Sequence, residues 1–192
     1  MNKKVLLLHG WGGSEYPHWQ AHLAMDLIKE NYTVSFPALP HWDNPDFEEW
    51  KAFVKEEIVH FKPDIVVCHS LGNVIFLHVL NEISIALDKV LLVAPVSQGC
   101  SIDEIKAFFP YPLPKINAKE VLILASDNDP YMNVNEVKQM QEMLDVSLQI
   151  LPDAGHINAD SGFGKLNRAL QWIKEEIPLN INNKDKIVDF KY

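Results

Sequence analysis

The sequence lacks most of the features that commit a chain to a specialised class. Cysteine is scarce: Cys68 and Cys100 are the two in 192 residues, which makes no disulfide framework. No apolar run approaches the ~20 residues of a membrane span. Positive charge is in short supply, and 17 Lys and Arg against 26 Asp and Glu leave a net charge of −9. A surface of that sign attracts neither nucleic acid nor an anionic membrane, so neither is expected as a partner. Phosphate-binding loops are absent, since neither G-x-x-x-x-G-K-S/T nor G-x-G-x-x-G follows the first apolar run. His18 and His22 stand four apart, but the glutamate of an H-E-x-x-H zinc helix is not between them. Asp127-Asn-Asp129 opens like a calcium loop, yet Tyr131 and Met132 occupy the places that need Asp or Asn and Gly. No metal and no cofactor is therefore expected. Met1-Asn-Lys-Lys4 runs straight into an apolar stretch with no leader of ~15–30 residues ahead of it, so the expectation is a cytoplasmic protein.

What is present is ordinary in bulk and ordered in pattern. Apolar residues at 47% and charged residues at 22% fit a globular chain. A chain of this size buries roughly 70% of its unfolded surface and needs no staples. Lys4-Val-Leu-Leu-Leu8, Tyr32-Thr-Val-Ser-Phe36, Ile65-Val-Val67, Lys89-Val-Leu-Leu-Val-Ala94, Glu120-Val-Leu-Ile-Leu-Ala125 and Val146-Ser-Leu-Gln-Ile150 read as six strands. Apolar residues at helical spacing predict helices over about 17–30, 46–61, 71–80, 133–144 and 163–177. Asp46 is placed to cap the second, and Asn133 with Glu136 makes a capping-box pattern at the fourth. The alternation predicts an α/β fold with a parallel sheet, helices on both faces and right-handed crossovers. The expectation is one domain over residues 1–177 and a polar tail over 178–192. The irregular stretch after the fourth strand fits a short helix near 102–108 and is too short for a lid domain.

In an open parallel sheet, ligands sit at the carboxyl ends of the strands. Five loops gather there, carrying His9-Gly-Trp-Gly-Gly13, His41-Trp42, Ser70, the 108–111 segment, and the pair Asp129 and His156. The sharpest feature is Cys68-His69-Ser70-Leu71-Gly72, between a buried strand and a helix. A serine at such a turn is often only a helix cap. The strand-turn-helix setting instead reads as a nucleophile elbow, with Cys68 standing where G-x-S-x-G has its first glycine. A serine hydroxyl needs a base to become nucleophilic. His156, in the loop after strand six, is the candidate base. Asp127 or Asp129, after strand five, is the carboxylate that would orient it, and Asp129 reaches further over the sheet. The order Ser70, Asp129, His156 is the one expected of α/β-hydrolases. The backbone N–H groups of Leu71 and Trp11 are candidate oxyanion donors. Trp42, Phe108, Phe109 and Tyr131 are candidate walls of an apolar substrate pocket. His69 is expected to point away from the site, and His78 to serve packing.

Val5-Leu-Leu-Leu-His-Gly-Trp-Gly-Gly-Ser14, His18-Trp19, Val66-Val-Cys-His-Ser-Leu-Gly72, Ala125-Ser-Asp-Asn-Asp-Pro-Tyr131 and Gly155-His156 together resemble the small serine hydrolases of the retinoblastoma-binding-protein/YdeN family. The resemblance covers about residues 4–177. It implies a lidless α/β-hydrolase fold with strand order 2-1-3-4-5-6 and a triad on Ser70, Asp129 and His156, so it favours the second aspartate. Family membership suggests esterase-like or peptidase-like activity. Retinoblastoma-protein binding is not expected here, because it needs L-x-C-x-E and the matching place reads Val66-Val-Cys-His-Ser70.

The reading is therefore a serine hydrolase that cleaves small esters, with amides as a second class, through an acyl-enzyme. Its partner is a small-molecule ester or amide. Two alternatives stand beside it: a non-catalytic binding or scaffold protein on a hydrolase fold, and an aminopeptidase or amidase.

Overall fold

A computed structural model describes residues 2–174. The expected tail over 178–192 and the far end of the last helix lie outside the described residues. The six strands are β1 (Lys4–Leu8), β2 (Thr33–Ser35), β3 (Ile65–His69), β4 (Leu87–Val93), β5 (Ala118–Ser126) and β6 (Ser147–Leu151). All five pairings are parallel, in the order β2-β1-β3-β4-β5-β6. Between them run α1 (Trp19–Lys29), α2 (Phe47–Phe61), α3 (Leu71–Leu80), α4 (Val134–Leu144) and α5 (Asn167–Lys174), with a short 3-10 helix at Asp103–Phe108.

The inner strands β1, β3, β4 and β5 are largely apolar on both faces because both faces are covered. Leu6, Leu8, Val66, Cys68, Val90 and Leu92 point into one core with Trp50 of α2, the apolar side chains of α3, and Val137 of α4. Their chain neighbours Val5, Leu7, Ile65, Val67, Leu91 and Val93 point into a second core with Trp19 of α1 and Trp172 of α5. Period-two alternation thus splits each run between two layers of helices.

The helix ends follow their caps. Asp46 accepts the Glu49 N–H and opens α2, and Asn133 with Glu136 closes a reciprocal capping box on α4. The last helix begins at Asn167, four residues later than the periodicity predicts. A turn holds residues 158–164 instead: the Ser161 and Phe163 N–H groups both donate to Asn158 O, and Gly162 has φ 89. Phe163 and Leu166 still pack against the second core. The connection from β4 to β5 carries only the 3-10 helix, so nothing among the described residues covers the strand ends as a lid domain. Among the described residues no helix is long and apolar enough to cross a membrane.

Candidate active site

Ser70 joins β3 to α3 with φ 53 and ψ −125. A side chain in that region costs on the order of 1–3 kcal/mol and persists only when its surroundings hold it. Here they do. The Ser70 N–H donates to Val93 O at 3.1 Å. Asn73 Nδ2 donates to Ser70 O at 2.9 Å and to Val93 O at 2.8 Å, and the Asn73 N–H donates again to Ser70 O. Asn73 is fully buried in a helix that is otherwise almost wholly apolar. Gly72 lets α3 approach β1, since a β-carbon there would lie 2.6 Å from the carbonyl oxygens of Leu8 and His9. Cys68 is fully buried and packs as a small apolar residue, so the turn forms without the first glycine. The Ser70 hydroxyl makes no bond to its own helix.

That hydroxyl faces His156, with Ser70 Oγ 2.8 Å from His156 Nε2. On the other side of the ring, Nδ1 lies 2.9 Å from Asp129 Oδ2 and 3.0 Å from Oδ1. A carboxylate only accepts, so the ring proton sits on Nδ1 and Nε2 is left to accept the Ser70 O–H. Asp129 is itself fixed by the Tyr131 N–H, which donates to Oδ1 at 2.9 Å. The Tyr131 ring lies edge-on to the imidazole at 4.5 Å.

The loop that carries His156 is held by the end of β5 and the loop after it, residue against residue. Asp127 Oδ1 accepts the Asp153 N–H, Ser126 Oγ accepts the Ala154 N–H, and Asn128 Oδ1 accepts the Gly155 N–H. Asp127 is thereby used on main chain, and Asp129 alone of the two aspartates reaches the imidazole. Ser161 Oγ takes the His156 N–H.

His69 departs from expectation. It turns toward the site, and its Nε2–H donates to His156 O at 3.0 Å. Burial first, then the neighbouring His156 and His18, hold its pKa well below the usual value, so the ring is a neutral donor. The His18 ring lies edge-on to it at 4.8 Å. His18 Nδ1 accepts the Gln20 N–H as the cap of α1, which puts its proton on Nε2. Burial, then His156 and His9, push His18 down to about 4. His78 donates to Phe108 O, away from Ser70.

The loop after β1 lies against Ser70. A β-carbon on Gly10 would sit 2.7 Å from Ser70 Cβ. Gly10 O is held by His9 Nδ1–H at 2.7 Å and by the Gly13 N–H at 3.2 Å. The Trp11 N–H belongs to the same trans peptide as that carbonyl and points the opposite way. The Leu71 N–H is the first of α3 and has no intrahelical acceptor.

A cleft of about 480 Å³ opens over these groups. Its lining includes Ser70, His156, Trp11, Leu71, Trp42 and Tyr131. Phe108 and Phe109 do not line it, contrary to expectation. Phe108 is fully buried against Trp50 and Phe47, and Phe109 meets the Tyr111 ring edge-on. Ile102, the residue before the 3-10 helix, and Ile105, one turn ahead of Phe108, line the cleft in their place. Ser14 Oγ and His18 Nε2, both on residues lining the cleft, are buried polar atoms without a partner. No group of three or more His, Cys, Asp or Glu among the described residues could hold a metal ion. His22 packs on Tyr16 instead.

Asn73 was missed by pattern alone, and the buried bonds of His69, His9 and His18 were not read from it. The available signal was clearest at Asn73, ahead of Val74-Ile-Phe-Leu77, and at His9, which ends Val5-Leu-Leu-Leu8: polar groups set in apolar runs are buried only with partners.

A family described as serine hydrolase matches residues 5–175. The ydeN gene product of B. subtilis has a TM-score of 0.78 to this chain at 22% identity, covering 90% of this chain and 97% of its own. A YdeN-like protein of Pectobacterium atrosepticum scores 0.74 at 25% identity, with 90% and 89% covered. The esterase domain of a Rhodothermus marinus protein scores 0.62 at 14% identity, with 84% and 81% covered. The first and third of these speak to the fold alone. No curated protein sequence matches the chain.

Proposed function

The chain belongs to the serine hydrolase family, and from that premise we propose that it cleaves small esters through Ser70, His156 and Asp129. The observation that carries the reading is the unbroken relay from Ser70 Oγ to His156 Nε2 at 2.8 Å and from His156 Nδ1 to Asp129 at 2.9 Å. Ser70 Oγ attacks the ester carbonyl carbon as its proton passes to His156 Nε2. The carbonyl oxygen becomes an oxyanion, held by the N–H groups of Leu71 and Trp11. Asp129 keeps the imidazolium oriented and balanced in charge. The tetrahedral adduct collapses, the carbon–alkoxide bond breaks, and His156 gives its proton to the departing alcohol. Water then attacks the acyl-Ser70 with His156 as base, releasing the acid and restoring the serine.

Apolar side chains at the cleft, among them Leu71, Val96, Ile102 and Ile105, suit an uncharged acyl or alcohol group. The test is pre-steady-state hydrolysis of p-nitrophenyl acetate. The expected trace is a burst of p-nitrophenol that approaches one equivalent per chain, followed by a slower steady state, with both lost in Ser70→Ala. Turnover that survives in Ser70→Ala would sink the proposal.

A further inference from the structure

A second cavity, of about 230 Å³, adjoins the cleft at the carboxyl end of β2. Phe36, Pro37, Ala38 and Trp42 give it an apolar wall. His9, also on its lining, has both ring nitrogens engaged, one donating to Gly10 O and the other accepting the Leu39 N–H. The two cavities share Gly13, Ser14, Glu15 and Trp42. Trp42 is the only bulky side chain of the four. Its Cδ1 and Nε1 lie 3.6 Å from where a β-carbon of Gly13 would stand. The indole edge therefore lies beside the glycine loop, where the two spaces meet.

The main chain at this seam is held independently of the indole. The Gly12 N–H donates to Trp42 O at 3.1 Å, and Trp11 Nε1–H donates to Asp43 O at 3.0 Å. Removing the Trp42 side chain opens the partition while leaving both stitches in place. The leaving group sits under His156, which hands it a proton, so the acyl part takes the side of the cleft away from that ring. Glu15 is an exposed carboxylate on the shared rim. It disfavours chains that end in a carboxylate.

We propose that Trp42 is the specificity-determining partition that limits acyl length, with the second cavity as the space a longer, uncharged acyl chain enters when the partition yields. This rests on Ser70 being the nucleophile. The test compares kcat/KM for p-nitrophenyl acetate, butyrate and octanoate in the wild type, Trp42→Ala and Trp42→Phe. In Trp42→Ala the octanoate-to-acetate ratio rises on the order of tenfold or more, the scale of a methylene gaining an apolar site. Trp42→Phe falls between. A parallel series of alkyl acetates, varied in the alcohol, keeps its wild-type profile.

An unchanged octanoate-to-acetate ratio in a Trp42→Ala protein that melts cooperatively overturns the inference, as does a shift confined to the alcohol series. If Trp42→Ala does not fold, Trp42→Phe and Trp42→Leu carry the same comparison. A wild type inert to every ester fails at the nucleophile instead, and takes this inference with it. An active wild type with an unshifted variant fails only the partition.

Discussion

At the scale of single residues, the two aspartates after β5 take different partners. They stand two apart on one loop and carry the same group. Asp129 meets the imidazole, while Asp127 meets the Asp153 N–H. Their amide variants should therefore diverge. Asp129→Asn leaves the shape intact but presents the wrong group to Nδ1, and kcat for ester hydrolysis should fall by roughly 10⁴, the size seen when a triad aspartate is so replaced. Asp127→Asn retains an acceptor oxygen for the Asp153 N–H and should keep kcat within about tenfold while costing about 1 kcal/mol in urea unfolding. Equal losses of kcat in the two variants would contradict these assignments. His69 and Asn73 act one step further out. The first holds the His156 carbonyl, and the second holds the Ser70 and Val93 carbonyls.

At the scale of elements, what could be read in the sequence tracks the strength of local signals. All six strands were legible because each is a short apolar run bounded by turn residues, and each lies within a few residues of its place. The caps at Asp46 and Asn133 were legible because capping is a local side-chain bond to nearby N–H groups. The start of α5 was not, because the 158–164 turn depends on Asn158 accepting from two residues further on, which no periodicity registers. Ser70, Asp129 and His156 could be named from order along the chain, since a parallel sheet sends each strand's carboxyl end to the same edge. Side-chain direction was harder. His69 is adjacent to Ser70 in sequence, yet as the last residue of β3 it continues the face of Ile65 and Val67, where Ile157 and its loop pack, and so meets His156. Phe108 and Phe109 were placed by proximity to the edge, but Ile102, Ile105 and Phe108, three apart, share one face of the 3-10 helix, which meets the cleft at its start and carries Phe108 into the core at its end.

At the scale of the whole molecule, the site places several imidazoles in the interior, and stability should carry their signature. Burial lowers the pKa of His9, His18 and His69, with His18 brought to about 4. An unfolded histidine titrates near 6.5. Below that pH the unfolded chain binds protons that the native chain refuses, so stability is present above about 6.5 and is lost as pH falls toward the native values. Each ring that stays neutral at pH 5 costs about 2 kcal/mol there. The urea midpoint should drop between pH 7.5 and pH 5. It should drop less in His18→Asn, which retains a capping oxygen for α1 but removes the titrating ring. A midpoint that does not move with pH would refute this. The larger task of the fold is to bring Ser70 from the β3–α3 turn, Asp129 from the loop after β5 and His156 from the loop after β6 to one edge of the sheet. Their joint action is tested most directly by mass spectrometry of the protein and its peptides after treatment with a fluorophosphonate. A single adduct on Ser70 is expected, slower to form in Asp129→Asn and absent in Ser70→Ala. No adduct on the wild type, or equal labelling of Ser70→Ala, would contradict it.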